Sequence, residues 1–321
     1  MTQKPDLPDY PRSTAVLIGC ARYRDDSYPQ LPAAHNSLSR LRDLLATAEL
    51  CGWPPDRITL IENPVGVVDL TKRILRICRE TEDVLLLYYV GHGTITPSGE
   101  LCLTLSDTEA SFPDITGLEY RRVKQALLDS PARVKVAIID CCYSGRAIEA
   151  LSGVSATAAD STDTRGVYTM TASDHAAHVV PFARQAEVCT SFTGELIDLV
   201  RNGVPGAPET PTLGALYVEL RRRLMSRSLP QPNQRGTDTA DRFTFARNAQ
   251  ALHRFFRAPW GPTTVRGYLA HPSRISVFAG APSVHSGHRR TAGQRRCAHR
   301  VHQLRRRAAD ENSGTPAHVA C

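Results

Sequence analysis

The chain sets a histidine between two glycines, and forty-odd residues later a cysteine pair ahead of a Ser-Gly turn. Residues 91–93 read Gly-His-Gly and residues 140–145 read Asp-Cys-Cys-Tyr-Ser-Gly. A thiol attacks a carbonyl only as the thiolate, and with an ordinary pKa near 8.5 it is mostly neutral at pH 7. An imidazole alongside takes that proton and later gives it to the leaving amine. His92 and Cys142 fit those two roles, base/acid and nucleophile. The backbone N–H groups of Gly93 and Cys142 are candidates for holding a developing oxyanion, where one donor is worth about 3 kcal/mol. Cys141 stands one residue earlier and would point to the opposite side of an extended chain. Taken singly, His92 also reads as a structural loop histidine and Cys142 as a buried inert thiol. As a pair, each at the end of a strand, they fit catalysis better.

Two apolar runs would position them. Residues 134–139 (VKVAII) and 83–89 (DVLLLYY) have the near-continuous apolar pattern of parallel strands covered on both faces. Such strands deliver the residues after them to the carboxyl edge of the sheet, where open α/β folds bind ligands. Further strands are expected at 14–20, 57–61 and 166–173, with a last one at 242–246 (RFTFA). Helical spacing marks 34–50, 68–80, 117–130, 191–202 (stopped by Gly203) and 212–228, and 99–105 reads as a small hairpin arm. Strands alternating with helices imply βαβ units, a mostly parallel sheet, and helices on both faces. Residues 146–165, rich in Ala, Ser, Thr and Asp, read as an exposed flexible connection.

Charge divides the chain. From Gln250 to Cys321 there are 12 Arg, no Lys and 2 acids, so the net +7 of the whole sequence comes from this segment. It reads as a disordered basic tail by composition; a nucleic-acid-binding arm lacks the interleaved aromatics, and out-of-frame translation would also give patternless Arg-rich text. Residues 1–13 read as a disordered lead, and 14–249 as the folded domain. Nine cysteines form no regular framework and no C-x-x-C pair. A zinc site from His92, Cys141 and Cys142 would need adjacent cysteines on one ion, and no phosphate-binding glycine loop occurs. The polar, Pro-rich start is no signal peptide, and no apolar run approaches the roughly 20 residues of a membrane span. A reduced, soluble, cytoplasmic protein with no cofactor or metal is expected.

Tyr88 to Gly93 (YYVGHG) and Asp140 to Gly145 (DCCYSG) resemble the His and Cys motifs of the caspase–metacaspase peptidases. The second is similar to the metacaspase pattern Asp-Ser-Cys-His-Ser-Gly, with Cys141 for the first Ser and Tyr143 for the His. The resemblance covers roughly residues 14–248 and is strongest to the actinobacterial caspase-like proteins. It implies a three-layer α/β/α fold with a six-stranded sheet of order 2-1-3-4-5-6, the last strand antiparallel. It also implies a large-subunit-like part at 14–145 and a small-subunit-like part at 166–249, joined by 146–165. Cys142 would be the nucleophile and His92 its partner, in an endopeptidase acting on proteins or peptides in bacterial signalling, defence or regulated death. Asp140 falls where metacaspases line the pocket for the residue before the cut; a carboxylate there favours Arg or Lys, though Asp140 also reads as a turn cap. The second pocket acid of that family is replaced by Ser37, with Asp174 a candidate to compensate. Arg146 and Arg165 bracket the connection as self-cleavage candidates. Calcium activation, known in some metacaspases, finds no acidic cluster here. The competing reading is a catalytically weak or inactive caspase-like module that recruits adaptor or effector partners.

Overall fold

Alternation of side chains along two central strands gives the molecule its two cores. In β3 (Val84–Val90), Val84, Leu86, Tyr88 and Val90 face one side, and Leu85, Leu87 and Tyr89 face the other. In β7 (Val134–Asp140) the same split puts Val136 and Ile138 opposite Ala137 and Ile139. Both strands are buried along their whole length, as the continuous apolar runs require. The computed structural model of the chain describes residues 6–142, 166–173, 180–236 and 240–251.

Around these strands lie β1 (Thr14–Gly19), β2 (Ile58–Glu62), β8 (Val167–Thr171) and β9 (Asn233–Arg235), giving the order β2-β1-β3-β7-β8-β9. Five strands run parallel and β9 runs antiparallel to β8. Counted along this sheet alone, the order is the 2-1-3-4-5-6 expected. A second, antiparallel sheet joins β4 (Gly93–Ile95), β5 (Leu101–Leu103) and β6 (Leu118–Glu119), so the expected hairpin arm carries a third strand.

Helices α1 (Pro32–Ala46), α5 (Ser191–Asn202) and α6 (Leu213–Ser226) bury Leu38, Leu41, Phe192, Leu196, Leu216 and Leu220 on one face of the sheet. Helices α2 (Val67–Glu80) and α4 (Tyr120–Leu128) bury Leu70, Ile74, Val123 and Leu127 on the other; a single turn, α3 (Pro113–Thr116), precedes β6. This is the three-layer α/β/α arrangement.

Two expectations are corrected. The lead is ordered from Asp6 onward: Tyr10 packs edge-on against Trp53 at 5.7 Å, the Arg12 carbonyl accepts from the N–H groups of Glu82 and Asp83, and Thr244 donates to the Asp6 carbonyl. A polar, Pro-rich segment concealed these anchors. The last strand is not 242–246. Phe243 and Phe245 are buried there, but only Thr244 makes a bridge, to Thr212. The antiparallel strand is the polar Asn233–Arg235. No helix among the described residues is long and apolar enough to cross a membrane.

Candidate active site

Parallel pairing of β3 with β7 sets Val90 beside Asp140, and the Gly91 N–H donates to the Asp140 carbonyl at 3.3 Å. His92 and Cys142 therefore leave the sheet at the same carboxyl edge, from neighbouring strands. The alternation seen in the strands continues past them. Cys141 is fully buried in the core on the α2/α4 face, whereas the half-buried Cys142 packs against the core on the α1/α5 face. The His92 ring lies among members of that same second core, 4.9 Å from the ring of Tyr23 and 6.1 Å from that of Tyr28. Imidazole and the Cys142 thiol thus share one face, and Cys141 is on the other.

The backbone of His92 is gripped at both ends. Its N–H donates to the Tyr23 hydroxyl at 2.8 Å, and that hydroxyl donates in turn to the Cys20 carbonyl at 3.0 Å. Its carbonyl accepts from Thr104 Oγ1 at 2.9 Å and from the Thr104 N–H at 3.2 Å, with the Tyr89 hydroxyl 2.8 Å away. The ring is oriented by the carbonyl of Pro29, 2.8 Å from Nε2. A carbonyl only accepts, so Nε2 carries the proton and Nδ1 is the basic nitrogen of the neutral ring.

Gly93 opens β4 opposite Leu103. The Thr104 N–H bonds the His92 carbonyl, which makes 92 and 104 the hydrogen-bonded pair of the ladder. By the alternation of antiparallel pairs, Gly93 turns its N–H away from β5. A Cβ at this position would overlap the Cys142 carbonyl oxygen and stand 2.8 Å from Cys141 Sγ. Only glycine lets the two loops approach this closely.

Asp140 has no exposed surface. Its Oδ2 accepts from Thr190 Oγ1 at 2.5 Å and Thr193 Oγ1 at 2.6 Å, both at the start of α5. Thr193 also bonds the buried Tyr88 hydroxyl at 2.7 Å, and Thr190 lies 3.1 Å from Ser37 Oγ. Ser37 and Asp140 are thereby brought into one hydroxyl network on the α1/α5 face. Asp174, Arg146, Arg165, the 146–165 connection and the basic segment beyond residue 251 lie outside the described residues. Among the described residues no group of three or more His, Cys, Asp or Glu side chains is placed to hold a metal ion.

Burial sorts the thiols. It pushes Cys141 well up and lifts Cys51 to about 12, Cys102 to about 12 and Cys78 to about 11. These remain neutral at pH 7 and behave as small hydrophobes. The sequence showed His92 and Cys142 through their glycine contexts and strand ends. It held no sign of the Pro29 carbonyl, Tyr23, Thr190 or Thr193, which meet the site from far along the chain.

No curated protein matches the chain. Among solved structures it is similar to the crystal structure of caspase-1 from Spodoptera frugiperda, at 12% identity and a TM-score of 0.48, over 74% of this chain and 95% of that one. The family model described as the caspase domain matches residues 12–250, which takes in β1–β9 and α1–α6, both motifs included. The chain belongs to the caspase-domain family, a family of cysteine peptidases.

Proposed function

We propose that the protein is a cysteine endopeptidase in which His92 and Cys142 form the catalytic dyad and the bond cut follows Arg or Lys. The observation that carries this reading is the shared face: neighbouring parallel strands end in His92 and Cys142, with both side chains against the α1/α5 core. His92 Nδ1 takes the Cys142 proton, and the sulfur adds to the peptide carbonyl carbon. The oxyanion is held by the N–H groups of Gly93 and Cys142. The same imidazole returns the proton to the leaving amine as the C–N bond breaks, leaving a thioester. It then draws a proton from water, which adds to the thioester and releases the acid and the Cys142 thiol.

Basic specificity rests on Asp140. Its carboxylate is covered by Thr190 and Thr193, so a substrate guanidinium or ammonium reaches it by displacing those hydroxyls, as a charge-assisted bond does against neutral ones. Arg146 and Arg165 then become sites of self-processing, and a role in bacterial signalling, defence or regulated death accords with the family resemblance. The test compares fluorogenic peptides ending in Arg, Lys or Asp. Hydrolysis of the basic substrates, lost in Cys142→Ala and after thiol alkylation, is the expected result. No hydrolysis of any of the three would turn the reading to a non-catalytic recruiting module. Intact-mass analysis reads self-processing: wild type fragments between 146 and 165, Cys142→Ala stays whole.

A further inference from the structure

In the sheet order β1 and β2 lie on the opposite side of β3, which leads to His92, from β7, which leads to Cys142. The loops after β1, β2 and β5 enclose a cleft of about 570 Å³. Its lining is mixed in an informative way. Val68 and Ile115 stand open to solvent, at 60% and 67% exposure, at positions where an unoccupied surface would favour polar residues. Asp25, Asp69, Asp107 and Glu109 line the same cleft, against Arg24 as the one cation among its described lining residues. Asp107 holds the Gly66 N–H through Oδ2 at 2.9 Å, while its Oδ1 is shut off from solvent with no partner. Spread over three loops, these acids do not converge on a point as ligands of an ion would; they suit an extended cation with an apolar side chain.

The cleft lies at the same carboxyl edge of the sheet as the active site, because β1 is the neighbour of β3, which ends at the His92 loop. The Tyr28 N–H donates to the Asp25 carbonyl at 3.0 Å, and the Tyr28 ring is 6.1 Å from that of His92. His92 protonates the leaving amine, so the segment released by cleavage starts at His92. The specificity network at Asp140 and α5 lies on the Cys142 side. A segment leaving over His92, away from β7, runs toward β1 and the loops that line the cleft.

We propose that this cleft is a subsite for the substrate segment on the carboxyl side of the scissile bond, selecting an apolar residue flanked by Lys or Arg. The proposal rests on the peptidase reading above. Three substrates with the same sequence up to the Arg at the cut test it: one with a Lys-Leu-Lys leaving segment, one with Glu-Ser-Glu, and one with only a small fluorophore as leaving group. In wild type the Lys-Leu-Lys peptide is expected to exceed the Glu-Ser-Glu peptide about tenfold in kcat/KM. In Asp69→Asn combined with Glu109→Gln, both surface changes, that ratio collapses toward one. Reading ratios removes any loss of folded protein. Equal kcat/KM for the two long peptides in wild type, or a ratio unmoved by the double variant, overturns the proposal. Failure to cleave even the short substrate instead overturns the peptidase reading beneath it.

Discussion

Adjacent cysteines at the end of β7 meet opposite surroundings: Cys141 is sealed in the α2/α4 core, where burial holds its proton, and Cys142 is half-exposed at the edge. The chemistry therefore depends on which side of the strand end the His92 loop crosses, and Gly93 decides how closely it does. With a Cβ at 93 overlapping a backbone carbonyl, the loop or the Cys142 turn must shift by the better part of an ångström. Misplacement on that scale costs on the order of 100-fold in rate. Gly93→Ala is thus expected to lower kcat about 100-fold with a nearly unchanged far-UV spectrum, since β3 and β7 are anchored elsewhere. Activity within a few-fold of wild type would show that the close approach is not required.

At the scale of elements, α5 connects the site to the rest of the fold. Its first turn supplies Thr190 and Thr193 to Asp140, and its last ends at Gly203, whose φ of 69° is left-handed. Asn248, 2% exposed, fastens that end: its Oδ1 accepts from Val204 N–H at 2.9 Å, and its Nδ2 donates to the carbonyls of Val204 and Ala207 at 3.0 and 3.1 Å. Asn248→Ala strands these backbone groups and is expected to cost about 2–3 kcal/mol, read as a lower urea midpoint with an unchanged m-value. A loss below about 0.5 kcal/mol would mean that water replaces the side chain freely. Helix α5 was legible in the sequence to the residue because Gly203 stops it and its apolar spacing is helical. The sixth strand was not. Phe243, Thr244 and Phe245 alternate as a strand does, but their rings fill the core without a ladder, and Asn233–Arg235 is a strand only because β8 offers it an edge. The site divides the same way. His92 and Cys142 carry their own signals, whereas the Pro29 carbonyl, 63 positions from His92, and Thr190, 50 positions from Asp140, belong to tertiary structure.

For the molecule as a whole, the free thiols couple stability to pH. Cys51 is 4% exposed, Cys78 2% and Cys102 0%, with burial raising them to about 12, 11 and 12. A raised folded-state value means that the native chain keeps protons the unfolded chain releases. Their contribution is complete below the unfolded value near 9 and is lost as pH rises from there toward 11–12. Buried Tyr23, Tyr88 and Tyr89, raised well above 10 by burial, act in the same direction at still higher pH. Each fully ionising thiol steepens the decline by about 1.4 kcal/mol per pH unit. Urea unfolding under reducing conditions from pH 7.5 to 10.5 is expected to show a plateau, then a fall beginning near pH 9. Cys51→Ala, whatever its constant loss from the vacated space, should make that fall shallower by about 1 kcal/mol per unit. A variant with the same slope as wild type would mean that the Cys51 thiolate is tolerated in the fold, contrary to its burial.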